Sequence, residues 1–443
     1  MRWVVGIVVI YLAAWLMNSA PLAFAGYCLA GVFATSKLLA FWWSRGLVIK
    51  RKMRCKIAEV GDKVRVKITL QYRGIIPIPW LIIEDVLPAD AINPRHPFLK
   101  VKGKPLKVYS LFSMQTVEFS YQLECMHRGF FQIGPVLVET GDPFGLHRRF
   151  RVACQPLSLL VLPKITPLLG YDLTSRRPIG EIRMTMKIFE DPTRIAGIRD
   201  YEPGDPFSRI HWKASARTGV FQSKIFEPTC LAGAMVLLDF HDSCFPPRGE
   251  PYRSELAISA ALALAHAVCS LNQPFGLGTN AIDAAKEIKT DESDHELESR
   301  GATREFTLRT DVPHHLQPMF LPSRRGLDHL QILREMLGRA LKTEGLRFVE
   351  MIHELSPHLP RDLSLVAVLP HVTEETAMTI GNLRQQGFAV SAILIQMDDE
   401  SLHRSFKRLV ANGVREIRHA PTAELLPQLC RSQVDRTSPL SLA

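Results

Sequence analysis

Two sets of side chains in this chain have types and spacings suited to chemistry. Within residues 197–219, Arg209, Lys213 and Arg217 recur every four positions, which on a helix makes one basic stripe, and Asp200, Glu202 and Asp205 lie just before it. Such a stripe suits an acidic partner or an anion. The same cations, with Arg199, could instead pair internally with Asp200, Glu202, Asp205 and Glu227, while Trp212 anchors the segment in a core. The second set is Cys230 and Cys244 with His211, His241 and Asp239, the residue types of a Cys-His-Asp nucleophilic arrangement. No local nucleophile motif surrounds either cysteine. His211, beside Trp212, reads more simply as a packed hydrogen-bonding residue than as a proton-transfer group.

The elements that position the stripe follow from its flanks. Pro203-Gly204 supplies a turn, and Asp205-Pro206 offers an N-cap followed by proline in the first turn, so a helix is predicted over residues 206–217. Gly219 is placed to end it in the left-handed conformation, and residues 220–226 alternate with the period of a strand.

With 443 residues and 47% hydrophobic content, the chain has material for two or three folded domains. The net charge of +10 invites a nucleic-acid reading. Part of the excess, however, sits in Arg45, Lys50, Arg51, Lys52, Arg54 and Lys56 directly after an apolar segment, which favours a membrane surface, and no nucleic-acid recognition motif appears. A basic nucleic-acid-binding module is therefore only a second alternative. Eight cysteines occur without a C-x-x-C pair, so neither a zinc ribbon nor a dithiol redox motif is indicated. No phosphate-binding G-x-x-x-x-G-K-[ST] loop is present, and His353-Glu354-Leu355-Ser356-Pro357-His358 has the wrong spacing and a helix-breaking proline for a zinc-protease helix.

Residues 3–17 and 22–36 are nearly uncharged apolar runs separated by Asn18-Ser19-Ala20-Pro21. They read as a transmembrane helical hairpin within residues 1–45, with Lys37 snorkelling and Phe41-Trp42-Trp43 in the interfacial belt. Arg2 and the basic cluster after residue 45 place both ends in the cytoplasm. The competing reading is a signal peptide cleaved after Ala23-Phe24-Ala25.

Residues 46–165 carry short alternating runs, such as 63–70 and 116–123, separated by turn clusters; an immunoglobulin-like β-sandwich is predicted. Residues 166–229 hold the polar stretch described above. In residues 230–432, buried apolar runs at 233–239, 275–279, 363–369 and 388–395 alternate with helical patterns at 254–271, 327–341 and 374–386. This is the order of a parallel sheet wrapped by helices. Residues 286–304 are charged and poor in apolar side chains, an expected exposed insertion, and residues 433–443 read as a flexible tail.

Arg199-Asp200-Tyr201, Pro203-Gly204-Asp205 and the run Ile210-His211-Trp212-Lys213-Ala214-Ser215-Ala216-Arg217 resemble the signature of the domain of unknown function 58 family. Gly141-Asp142-Pro143-Phe144-Gly145-Leu146 and Val161-Leu162-Pro163 also look like that family's pattern. The resemblance implies a bacterial membrane protein with a von Willebrand factor A-like α/β domain at the carboxyl end; with the charge pattern above, the expected location is the inner membrane, the soluble part facing the cytoplasm. It further implies a metal-ion-dependent adhesion loop, in which Asp239 and Ser243 match, His241 replaces a serine, Ser323 stands in for the threonine, and Leu369-Pro370-His371 lacks the last aspartate. Mg2+ is the cofactor such a loop would hold, weakened by those losses. Relatives are associated with MoxR-type AAA+ ATPases, so the implied function is that of a non-enzymatic, membrane-anchored interaction protein. The candidate partner-binding residues are Arg199, Asp200, Tyr201, Asp205, Arg209, His211, Trp212, Lys213 and Arg217. A cysteine-dependent hydrolase or transferase is the alternative.

Overall fold

The apolar start of the chain folds as two helices, α1 (Arg2–Leu16) and α2 (Ala20–Arg45), joined by a turn in which Asn18 takes a positive φ of 46°. The computed structural model describes residues 2–92, 97–143, 147–168, 190–201, 210–228, 233–287, 317–361, 363–414 and 416–429. The chain divides into two compact units, one of Met1–Lys164, Asp283–His314 and Glu335–Ala340, the other of Ile165–Ile282, His315–Arg334 and Leu341–Ala443.

In the first unit, one described helix, over Ala20–Trp43, is long and apolar enough to cross a membrane; Val5–Leu16 is a shorter apolar helix. The second helix runs past the apolar stretch 22–36, through Lys37, for about two and a half further turns, to the predicted end of the hairpin at residue 45. The physical reason is packing. Phe33, Ser36, Ala40 and Trp43 fall on one helical face, and Ser36, Ala40 and Trp43 are buried. Trp43, 3% exposed, joins the same apolar core as Leu47, Ile49 and Tyr72, and its Nε1 donates to the Ile76 carbonyl at 3.2 Å. At Gly46 a Cβ would lie 2.9 Å from the Tyr72 ring, so glycine is what lets the helix end approach the strand.

That core is the interior of an antiparallel, strand-rich body. One sheet orders β1 (Leu47–Met53), β3 (Lys63–Tyr72), β7 (Thr116–Cys125) and β5 (Leu99–Lys102). A second orders β10 (Arg148–Cys154), β9 (Val136–Gly141), β4 (Ile78–Asp85) and β6 (Leu106–Leu111), and β2 (Ile57–Glu59), β11 (Leu157–Leu162) and β8 (Gly129–Ile133) form a third. In β3 the alternation is strict: Val64, Val66, Ile68 and Leu70 are buried and Lys63, Arg65 and Lys67 exposed. Asp85 is buried in this core, with Arg51 Nη1 at 2.8 Å and the Tyr121 hydroxyl donating to it at 2.7 Å, so its charge and lone pairs have partners.

In the second unit, β12 (Glu190–Asp200) and β13 (Gln222–Pro228) pair antiparallel and flank a short helix, α3 (Trp212–Thr218). A six-stranded sheet follows. Its strands in chain order are β14 (Ala234–Leu238), β15 (Phe275–Thr279), β17 (Met319–Arg324), β19 (Ser364–Leu369), β20 (Ala389–Ile395) and β21 (Ile417–Ala420); the pair β16 (Ile282–Asp283) and β18 (Ala340–Leu341) stands apart. The spatial order is β17-β15-β14-β19-β20-β21, parallel throughout except for β17. Every residue of β14, β15 and β19 is buried, as continuous apolar runs covered on both faces require. The helices Tyr252–Ser270, Phe348–Leu355, Glu374–Gln385 and Asp399–Ala411 alternate with these strands. Strand β17 departs from the sequence reading, which placed residues 319–324 in no element. It is an edge strand, and Pro322 is tolerated there because an edge can spare an amide donor.

Candidate functional site

Two places in the second unit carry the residues singled out by sequence. The first lies where the chain order of the sheet reverses, beyond the carboxyl ends of β14, β15 and β19, the location at which open α/β sheets gather ligands. Register aligns Leu238 with Thr279 and with Val368, so Asp239, Asn280 and the segment Leu369–His371 emerge at one end.

Asp239 is 2% exposed, and its oxygens are already engaged. Oδ1 accepts from Asn280 Nδ2 at 3.0 Å and from the His241 amide at 3.2 Å, and Oδ2 accepts from the Cys244 thiol at 3.3 Å. Burial raises its carboxyl above the usual range, and these hydrogen bonds pull the other way. Asn280 is itself fully used: its amide also donates to the Leu346 carbonyl at 2.9 Å, and its Oδ1 accepts the Phe240 amide at 2.6 Å. His241 Nδ1 takes the Ser243 amide at 3.2 Å and lies 2.8 Å from Ser243 Oγ, capping the short turn Asp242–Cys244. Around this network Lys342 Nζ reaches Asp242 at 2.8 Å and Glu250 at 3.6 Å. His371 is held below the usual imidazole range, first by burial and then by Arg253 and Arg408.

A hard divalent cation would need several oxygen ligands converging on one point. Among the described residues no three His, Cys, Asp or Glu side chains converge in that way. The single buried carboxylate is turned onto an amide, a backbone N–H and a thiol, so this arrangement does not fit a cation. Ser323 is a correction to the sequence reading. Strand β17 runs antiparallel, with Arg324 opposite Phe275, which puts Ser323 near the amino end of β15 and about 13 Å, four strand residues, from the Asp239 end. Cys244 is pushed far above an ordinary thiol by burial and by the neighbouring Asp239, which keeps it protonated and weakens it as a nucleophile. Cys230 lies outside the described residues.

The second place is the polar signature. Its helix begins later than the sequence pattern indicates, at Trp212, and its cap is His211, whose Nδ1 accepts the Ala214 amide at 3.1 Å. Asp205, Glu202 and Arg209 lie outside the described residues. Gly219 closes the helix with φ 72°, as its position predicts. Ser215 Oγ accepts the Gln222 amide at 2.9 Å and donates to the His211 carbonyl at 3.2 Å, and Gln222 Nε2 donates to Asp200 at 2.6 Å, so polar side chains fasten α3 to the strand pair.

Trp212 is the second correction. It is 64% exposed and does not anchor a core. Its ring meets Phe221 edge-on at 6.2 Å, Phe221 meets Tyr201 at 6.2 Å, and Phe221 and Val220 are also exposed. Trp212, Ser215, Ala216, Gly219, Val220 and Phe221 line an open groove of about 250 Å³. Lys213 and Arg217, one helical turn apart, are exposed on the same helix. The strand-like alternation of residues 220–226 carried the signal for Val220 and Phe221, but nothing in the sequence marks them as uncovered. Asn280 was missed because a single asparagine after a strand is indistinguishable from a turn residue.

Residues 197–367 match the model of the family described as "Protein of unknown function DUF58". The chain is 28% identical over 255 residues to the "Uncharacterized protein YeaD" of Bacillus subtilis (strain 168), an alignment that covers 57% of this chain and 60% of the relative. The chain thus spans about three fifths of the length of that curated relative. Among solved structures, it is similar to the CARDB domain of the PF1109 protein from Pyrococcus furiosus at 10% identity, over 26% of this chain and 87% of that one, with a TM-score of 0.18. A human seminal-plasma complex of zinc α2-glycoprotein and prolactin-inducible protein is matched at 13% identity over 26% of this chain and 93% of that one, with a TM-score of 0.19.

Proposed function

We propose, from the premise that this chain belongs to the DUF58 family, that it is a non-enzymatic, membrane-anchored interaction protein whose signature segment grips a protein partner. The observation that carries this reading is the uncovered Trp212–Phe221 groove beside the cations Lys213 and Arg217. Large aromatics and arginine are the side chains that most often dominate protein–protein contacts, and an exposed apolar patch rimmed by charge is a usual mark of such a site.

The six-stranded sheet, with one antiparallel edge strand and its chain-order reversal at Asp239, supports a von Willebrand factor A-like domain. On this reading the adhesion loop has been converted to an internal hydrogen-bonded lock and recognition has moved to the signature. The soluble units face the cytoplasm, and a MoxR-type AAA+ ATPase is the partner that the family resemblance nominates. The held-up Cys244 thiol weighs against the hydrolase alternative.

The test is capture from detergent-solubilised membranes with the full-length chain, compared with Trp212→Ala, Phe221→Ser and Lys213→Gln/Arg217→Gln variants. Their exposed positions leave folding intact, which circular dichroism checks. Loss of an AAA+ ATPase by at least an order of magnitude in the folded variants supports the proposal; equal recovery sinks it.

A further inference from the structure

The end of the strand-rich body at which α2 enters carries a second uncovered apolar surface. Register fixes which connections lie there. Leu47 pairs with Tyr72, Gln71 with Thr116, Ile78 with Leu111, and Gly141 with Arg148. The helix junction, the β3–β4 loop (residues 73–77), the β6–β7 loop (residues 112–115) and the β9–β10 turn therefore share one end. Hydrogen bonds hold the first three together: the Arg73 amide donates to the Gly46 carbonyl at 2.9 Å, Trp43 Nε1 to Ile76, and the Tyr72 amide to the Gln115 carbonyl at 2.9 Å.

At the tips of these loops Ile75 is 85%, Phe112 69% and Met114 71% exposed. Leu38 and Trp42 of α2 are exposed as well. At the opposite end of the same body, Ile57, Leu106 and Met126 are each less exposed than any of those three tips. Uncovered side chains of this size on two adjacent loops need something to cover them.

Helix length indicates what does. A hydrocarbon core of about 30 Å takes about 20 helical residues at ~1.5 Å each. Counted from the start of α2 at Ala20, that reaches about Leu39, one turn before Trp43, the residue bonded to Ile76. The loop tips thus stand at the level of the water–lipid boundary, where Trp42 and Trp43 would also lie. The charges at this end agree. Lys37, Arg45, Arg73, Arg148 and Arg149 are exposed, with Arg45 and Arg149 stacked over Phe41 at 4.2 and 5.5 Å and Arg148 3.6 Å from Glu139. Residues 73–77 and 112–115 contain no carboxylate, and in the β9–β10 turn Asp142 is buried and accepts the His147 amide.

We infer that the strand-rich body is seated directly on the bilayer, with Ile75, Phe112 and Met114 inserted at the interface and the basic fringe against anionic phospholipid headgroups. The inference rests on the reading of α1 and α2 as a membrane anchor. It adds that the first soluble body is part of the membrane attachment and not suspended from it.

The full-length chain, reconstituted into vesicles of phosphatidylcholine and phosphatidylglycerol in equal parts, tests this. Met114→Cys and, as an opposite-end control, Ile57→Cys are labelled with an environment-sensitive dye, the parent chain supplying the background from native cysteines. Quenching by lipid carrying a nitroxide near the headgroup should be several-fold stronger at position 114 than at 57, and should weaken when phosphatidylglycerol is omitted. Alkaline carbonate extraction of the same vesicles reads the anchor separately. A retained protein with equal quenching at the two positions overturns the seating and leaves the anchor standing. A protein stripped by carbonate overturns both.

Discussion

Asp239 is the residue at which sequence resemblance and local chemistry part company. Its position after the first strand of the sheet matches a metal-binding loop, yet its surroundings supply hydrogen-bond donors where a cation would need oxygen ligands. Asn280 holds the arrangement, since one side chain serves Asp239, Leu346 and Phe240 at once. Replacing it by leucine, nearly isosteric, leaves a buried carboxylate, a carbonyl and an amide short of partners. Each buried group left unsatisfied costs about 1–3 kcal/mol. We therefore expect Asn280→Leu to lower unfolding stability by several kcal/mol, read as a drop in the urea midpoint at unchanged slope, whereas a surface change such as Glu400→Gln should not. An unshifted midpoint would show that the network is dispensable. At this scale the sequence exposed the residue types and not their pairing: Asp239, His241 and Cys244 were legible as reactive groups, but the partner from a different strand was not.

Elements were legible where apolar period and length agreed. The buried strands, the helix after the first of them and the strand-rich middle follow from alternation and from apolar runs whose length and flanking turn residues decide between strand and helix. The failures came where a local pattern had two readings. Asp205-Pro206, which has the form of a helix start, lies outside the described residues, and the described helix starts after His211, whose imidazole accepts an amide as a cap oxygen would. Strand β17 sets a proline between apolar Met319–Leu321 and polar Ser323-Arg324, and its place at the edge depends on pairing that sequence period does not encode. The cap gives the element-level prediction. His211→Ala should cost α3 about 0.5–2 kcal/mol, the range for losing an N-cap, and His211→Asn should restore most of it. Hydrogen exchange at Ala214 and Ser215 reads both changes; unchanged protection in the alanine variant would show that strand contacts alone hold the helix.

For the molecule as a whole, the informative residue is Trp43. Phe41-Trp42-Trp43 reads in sequence as an interfacial belt, and Trp42 does face outward, but Trp43 is buried among the residues of the strand-rich core. Adjacent aromatics on a helix point about 100° apart, and composition cannot say which of them meets protein and which lipid. Trp43→Ala should destabilise this first unit by about 3–5 kcal/mol, the usual cost of emptying a large aromatic from a core. Trp42→Ala should cost far less. Hydrogen exchange of β1 and β3 in detergent or lipid provides the comparison, and equal effects would contradict the packing described here.

Because α2 runs without a break from the apolar hairpin into that core, no linker intervenes between them. A domain on a flexible leash samples many orientations and heights above a bilayer; one built onto the shaft of its own helix inherits the helix's tilt. On the proposed reading of α2 as a membrane anchor, its rotation about axes in the membrane plane is governed by the viscosity of the lipid and not by that of water.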